Sequence, residues 1–134
     1  MKKLSEDLIK KLINAASNVR KNSYNPYSKF AVGAVVLMDD DSIVGGTNVE
    51  NVSFGLTICA ERSALFNAVS QGYKKFKALA LVTEDGSTPC GACRQVILEL
   101  CGNIPIIITK TDDTYRITQT NDLLPQAFYT HVNQ

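Results

Sequence analysis

Two short stretches hold the residue types that do chemistry: Thr57-Ile58-Cys59-Ala60-Glu61-Arg62 and Thr88-Pro89-Cys90-Gly91-Ala92-Cys93-Arg94-Gln95. Each is predicted to open a helix. Thr57 and Thr88 stand where an N-cap hydroxyl belongs, Pro89 suits the first helical position, and Gly72 and Gly102 suit the glycine that stops a helix. Cys59, Cys90 and Cys93 then fall in first turns, where unpaired N–H groups and the positive end of the helix dipole favour thiolates. Three thiolates converging from two helix starts make a three-coordinate Zn²⁺ with one open position, the pattern of a catalytic rather than a structural zinc. Glu61 follows Cys59 by two residues, close to such a metal yet free to move protons. The expected chemistry is hydrolysis, with one zinc per chain.

Two other uses of these cysteines weigh against that reading. Cys90-Gly91-Ala92-Cys93 at a helix start also fits a thioredoxin-like redox pair, but this leaves the upstream Cys59-Ala60-Glu61 unexplained. A structural four-cysteine zinc would need Cys101, which lies eight residues past Cys93 and so roughly 12 Å further along one helix. Cys101 is expected to be a small buried apolar residue.

Cys59-Ala60-Glu61 followed by Pro89-Cys90-Gly91-Ala92-Cys93 resembles the zinc-dependent cytidine deaminase family, whose non-ligand Glu handles the protons. Cysteine at 59, where deaminases of polynucleotides and nucleotides mostly carry histidine, resembles the small free-nucleoside branch. The match runs from about Tyr24 to Phe128. The resemblance implies hydrolytic deamination of cytidine and deoxycytidine to uridine and deoxyuridine with release of ammonia, in pyrimidine salvage. Glu61 would pass protons to ring N3 and to the leaving amine, while attack falls on C4. Three thiolates on one dication leave a negative site that acidifies water poorly, so charge must be withdrawn from the sulfurs. The resemblance places Arg62 where a guanidinium hydrogen-bonds two ligand sulfurs, with Gln95 as a weaker candidate beside them.

The same resemblance extends to substrate. Phe30 and Asn48-Val49-Glu50-Asn51 resemble the family's nucleoside pocket: Phe30 beside base and sugar, Asn48 and Glu50 on the ribose 3′-hydroxyl, the Ala60 N–H on the pyrimidine carbonyl. An amide and a carboxylate suit an uncharged hydroxyl and repel phosphate, which favours nucleoside over nucleotide. Phe54 departs from the pattern. Many relatives have tyrosine there, reaching the 5′-hydroxyl, often from a neighbouring subunit; phenylalanine keeps the ring and loses that bond. Leu123 to Phe128 resembles the family's tail, whose phenylalanine stacks over the base of an adjoining protomer. A homotetramer with shared active sites is implied. Blasticidin S deaminase has the same metal motif, but the Asn48–Asn51 match favours cytidine. A non-catalytic binding module built on the same fold is the reading from another class. Preference between cytidine and deoxycytidine is not legible.

A chain of 134 residues reads as one domain, 1–134, large enough for a real core. Fourteen basic against thirteen acidic residues give no field for nucleic acid or a membrane surface. A nucleic-acid editing enzyme would show a basic groove with aromatic platforms, whereas Lys74-Lys75-Phe76-Lys77 reads as a short solvated loop. No apolar run is long enough to span a bilayer, and Met1-Lys2-Lys3 leads into an amphipathic stretch without a signal-peptide core. Four cysteines in such a chain predict the reducing cytoplasm.

The elements that must position these residues follow from periodicity. Leu4, Leu8, Ile9, Leu12, Ile13 and Ala16 recur at helical spacing behind a Ser5 cap. Phe30–Met38 and Ser42–Val49 read as antiparallel strands around the Asp39-Asp40-Asp41 turn. The Cys59 helix runs to about Gln71. Lys77–Thr83, the Cys90 helix and Ile104–Thr109 make a crossover with parallel strands. Thr114–Thr118 is expected as an edge strand and Asn121–Phe128 as a final short helix or turn; His131 reads as a frayed tail group. The expected fold is α/β: a three-layer α/β/α sandwich around a mixed five-stranded sheet, as in the resembled family.

Overall fold

The structure is a computed structural model and describes residues 3–129, so His131 lies outside the described residues. Helix α1, Glu6–Arg20, starts at Ser5, whose hydroxyl accepts the Leu8 N–H at 3.2 Å. Strands β1 (Gly33–Met38) and β2 (Ile43–Thr47) follow, then α2 (Ala60–Ser70), β3 (Phe76–Thr83), α3 (Gly91–Cys101), β4 (Pro105–Lys110), β5 (Tyr115–Gln119) and the short α4 (Thr120–Leu123). The sheet order is β2-β1-β3-β4-β5. Of the four strand pairings among the described residues, that of β3 with β4 is parallel, with Leu81 opposite Ile108, and the other three are antiparallel.

Side-chain alternation along the central strands explains the three layers. Val35, Leu37, Ala78, Ala80, Val82 and Ile107 point to one face and meet Ile9, Leu12, Ile13 and Ala16 of α1. Ala34, Val36, Met38, Leu79, Leu81, Ile106 and Ile108 point to the other and meet Ala60, Ala64, Leu65 and Ala68 of α2 and Ile97 of α3. The α/β/α sandwich and the mixed five-stranded sheet are as expected. Two glycines set how closely the helices ride on it. A Cβ on Gly33 would lie 2.2 Å from the Ala16 carbonyl oxygen, and one on Gly46 would lie 2.3 Å from the Ala64 nitrogen. Neither backbone can yield that much, so both positions require glycine.

Several boundaries differ from expectation. Phe30 precedes β1, because Asn48 takes the place of a strand partner: its amide donates to the Phe30 carbonyl at 2.7 Å and accepts the Val32 N–H at 2.9 Å. The β2–α2–β3 crossover does not pair β2 with β3, since β1 lies between them. The last helix stops at Leu123, and the chain to Phe128 is irregular.

Candidate active site

The two helix starts are built differently from expectation. Cys59 and Cys90 are themselves the N-caps, with extended backbone (ψ 153° and 168°) and no side-chain capping bond. Thr57 instead closes the turn Phe54–Leu56, donating its N–H to the Phe54 carbonyl at 3.1 Å, and Pro89 lies ahead of α3 rather than at its first residue. The sulfurs explain the shift. Each cysteine turns its side chain toward the other helix, so neither is available to cap its own. Gly72 (φ +97°) and Gly102 (φ +68°) close the helices as expected.

Cys59 Sγ lies 3.7 Å from Cys90 Sγ, which lies 3.5 Å from Cys93 Sγ. All three fall within 4.8 Å of one another, and they are the metal-capable group among the described residues. Thiolates about 2.3 Å from a tetrahedral zinc stand roughly 3.8 Å apart, so this donor set fits zinc by both chemistry and spacing. Cys101 is outside the group; it packs on the α2/α3 side of the core, and burial pushes its thiol up.

Cys59 and Cys93 shift in opposite directions. Hydrogen bonding from Cys93, aided by Arg62 and Cys90, pulls the Cys59 thiol down, while the same Cys59 contact and then burial push Cys93 up. An Arg62 terminal nitrogen donates to Cys59 Sγ at 3.5 Å, and its bonds to Cys59 and then Cys93 raise the guanidinium further. Its Nε is buried without a hydrogen-bond partner among the described residues. Gln95 does not turn to the sulfurs; its amide donates to the Phe128 carbonyl at 2.6 Å, because the C-terminal segment crosses that face of α3.

Glu61, in the first turn of α2, is only 4 % exposed. Burial lifts its carboxyl from the usual range to about 7. It borders a cavity of about 250 Å³ together with Cys59, Cys90, Ala60, Phe30, Asn48 and Glu50, so residues predicted from four separate stretches line one space. The cavity opens past Leu81 and Thr83 at the carboxyl end of β3, where crevices in open α/β sheets bind ligands. The Val49 and Ile58 backbones exchange two 3.0 Å hydrogen bonds, which fixes the Asn48–Glu50 segment against the start of α2.

Asn48 and Glu50 also have structural partners. With Phe30 taking one amide hydrogen of Asn48, one donor remains for a ligand. Glu50 accepts the Tyr27 and Ser28 N–H groups at 3.0 and 3.1 Å and the Ser28 hydroxyl, which holds its carboxyl below the usual range. Phe54 and Phe128 do not line the cavity; they are 73 % and 81 % exposed. Sequence reasoning missed Ser28, whose partner is distant in the chain, and Arg94, which bonds the Pro89 carbonyl and the Thr88 hydroxyl. Its place four residues after Cys90, a spacing that brings helical side chains back toward the preceding loop, is a signal for the latter.

The description "Cytidine and deoxycytidylate deaminase zinc-binding region" belongs to a family model that matches residues 6–109. A cytidine deaminase of Sporosarcina psychrophila is 48% identical over 123 residues, covering 90% of each chain. One from Halalkalibacterium halodurans is 45% identical over 120 residues, 87% of this chain and 91% of its own. The crystal structure of cytidine deaminase from Burkholderia pseudomallei superposes with a TM-score of 0.86 at 44% identity, covering 93% of this chain and all of that one. With its three gathered cysteines and buried Glu61, the chain belongs to the cytidine and deoxycytidylate deaminase family.

Proposed function

We propose that this protein hydrolyses the exocyclic amine of cytidine and deoxycytidine, giving uridine and deoxyuridine with release of ammonia. The observation that carries the reading is the convergence of Cys59, Cys90 and buried Glu61 with Phe30, Asn48 and Glu50 on one cavity. Cys59, Cys90 and Cys93 would hold one zinc per chain. That ion supplies the Lewis acidity that makes water a nucleophile near neutral pH. Glu61 takes a proton from water and passes it to N3, then takes the proton of the new C4 hydroxyl and gives it to the departing amine, leaving a C4 carbonyl and ammonia.

Arg62 draws charge from the sulfurs through its bond to Cys59. The Ala60 N–H, in the first turn of α2 and free of an intrahelical acceptor, donates to the pyrimidine carbonyl. Phe30 lies along base and sugar, while the remaining Asn48 donor and the Glu50 carboxylate take the 3′-hydroxyl. Exposure of Phe54 and Phe128 supports a partner subunit that covers them, in a homotetramer with shared sites. The whole chain acts as one deaminase domain in cytoplasmic pyrimidine salvage, on free nucleosides rather than nucleic acid. No helix among the described residues is long and apolar enough to cross a membrane.

Ammonia release on cytidine and on cytidine 5′-monophosphate, side by side, tests the reading. Cytidine is expected to turn over and the monophosphate poorly, since the basic residues beside the pocket motifs Phe30, Asn48–Asn51 and Cys59–Glu61 are Lys29 and Arg62, and Arg62 is committed to the sulfurs. Equal rates would return the site to nucleotides. Metal analysis should find about one zinc per chain, lost in Cys59→Ala/Cys90→Ala and kept in Cys101→Ala.

A further inference from the structure

Arg94 comes from the first turns of α3, one residue past Cys93, and bends back toward the helix start as helical side chains do. Its Nε donates to the Pro89 carbonyl at 2.7 Å, one terminal nitrogen to the Thr88 hydroxyl at 2.8 Å, and the other to the Leu123 carbonyl at 2.7 Å. All three nitrogens of the planar fork are therefore engaged. Thr88 and Pro89 are the two residues immediately ahead of Cys90.

The placement matters because α3 has no side-chain cap of its own. Cys93 is positioned by the helix, but Cys90 is positioned by the loop that enters it. The Arg94 N–H bonds the Cys90 carbonyl at 3.0 Å, which fixes the cysteine's backbone from the helix side only. On the loop side, the guanidinium ties the Pro89 carbonyl and the Thr88 hydroxyl to α3, and the Leu123 carbonyl orients the fork from behind. Arg62 differs from it, because that guanidinium touches a sulfur and Arg94 is bonded to none of them.

We propose that Arg94 is a positioning residue for the zinc site: it clamps Thr88-Pro89 onto α3 so that the Cys90 and Cys93 sulfurs stay at chelating separation. The inference rests on the reading that the three thiolates bind zinc. Its test is therefore a titration of the zinc-free full-length protein with Co²⁺, followed by thiolate-to-cobalt charge-transfer absorption. Parent protein without that absorption overturns the zinc reading itself. Given a parent band, Arg94→Ala should bind Co²⁺ about 10- to 100-fold more weakly and with shifted cobalt bands. Arg94→Lys should recover little, since one ammonium cannot replace a three-way fork. Thr88→Val should cause a smaller loss that disappears in the Arg94→Ala background, because the two side chains form one bond.

A residue that merely stabilised the fold would lower the urea midpoint without moving the cobalt bands. Parent-like affinity and bands in Arg94→Ala, or a Thr88→Val loss of equal size in both backgrounds, overturns the proposal. Should Arg94→Ala fail to fold, parent-like cobalt binding by Thr88→Val does the same.

Discussion

A buried carboxyl titrating near 7 contributes a pH dependence of defined sign to the stability of the zinc-free protein. Glu61 ionises at about 7 when folded and near its usual 4.5 when unfolded. Below pH 4.5 both states hold the proton and nothing differs. Between 4.5 and 7 the unfolded chain loses it first, so the contribution of this group falls as pH rises, reaching a cost of about 3 kcal/mol above pH 7, while the lowered Cys59 thiol contributes with the opposite sign. Glu61→Gln should remove that slope, leaving the variant more stable than the parent at pH 8 and not at pH 4; urea titration of zinc-free samples checks it. A second prediction concerns Glu50. Its charge-assisted bond to a 3′-hydroxyl is worth roughly 1.5–3 kcal/mol. Glu50→Ala should lower kcat/KM for cytidine by roughly tenfold to a hundredfold and cost little on 3′-deoxycytidine. Equal losses on both would remove Glu50 from the ribose, leaving only its support of the Tyr27–Ser28 loop. The zinc cysteines and Glu61 were legible because their grouping is written in short spacings. Gln95 was misplaced because its partner, Phe128, lies 33 residues away, and no local pattern encodes that contact.

Element packing sets the helix starts to within the tolerance that chelation needs. Gly46 lets α2 ride directly on β2, its missing Cβ facing the Ala64 nitrogen. Gly46→Ala should therefore push α2 outward and lower stability by roughly 1–3 kcal/mol or more. Because α2 carries Cys59 at its cap, the same change should weaken zinc retention against a chelator. A variant with the parental urea midpoint and zinc content would show that the close approach constrains neither. The strands and helices were legible from apolar periodicity, with Leu79, Leu81, Ile106 and Ile108 facing one helix layer and Ala78, Ala80 and Ile107 the other. The helix caps were not, since a threonine two residues too early satisfies the same sequence rule as the cysteine that wins. The convergence of the two helix starts on one place decides, and that is a tertiary effect.

At the level of the assembled molecule, the segment leading into Cys59 leaves apolar surface exposed within one chain. Phe54 meets Tyr27 edge-on at 5.8 Å, yet both stay exposed, as do Val52 and Leu56. Sedimentation should find four chains in the parent and a smaller species in Phe54→Ser, since a serine there removes apolar area from the proposed contact. A monomeric parent would contradict shared sites while leaving the chemistry within the chain intact. The chemistry itself is tested most directly by ammonia release from cytidine, measured on zinc-loaded parent and Glu61→Gln at matched metal content. The parent should release ammonia in step with uridine, and the variant should do so roughly 10²- to 10⁴-fold more slowly with its zinc retained. A zinc-loaded parent that releases none, or a Glu61→Gln variant that matches it, would contradict the deaminase mechanism.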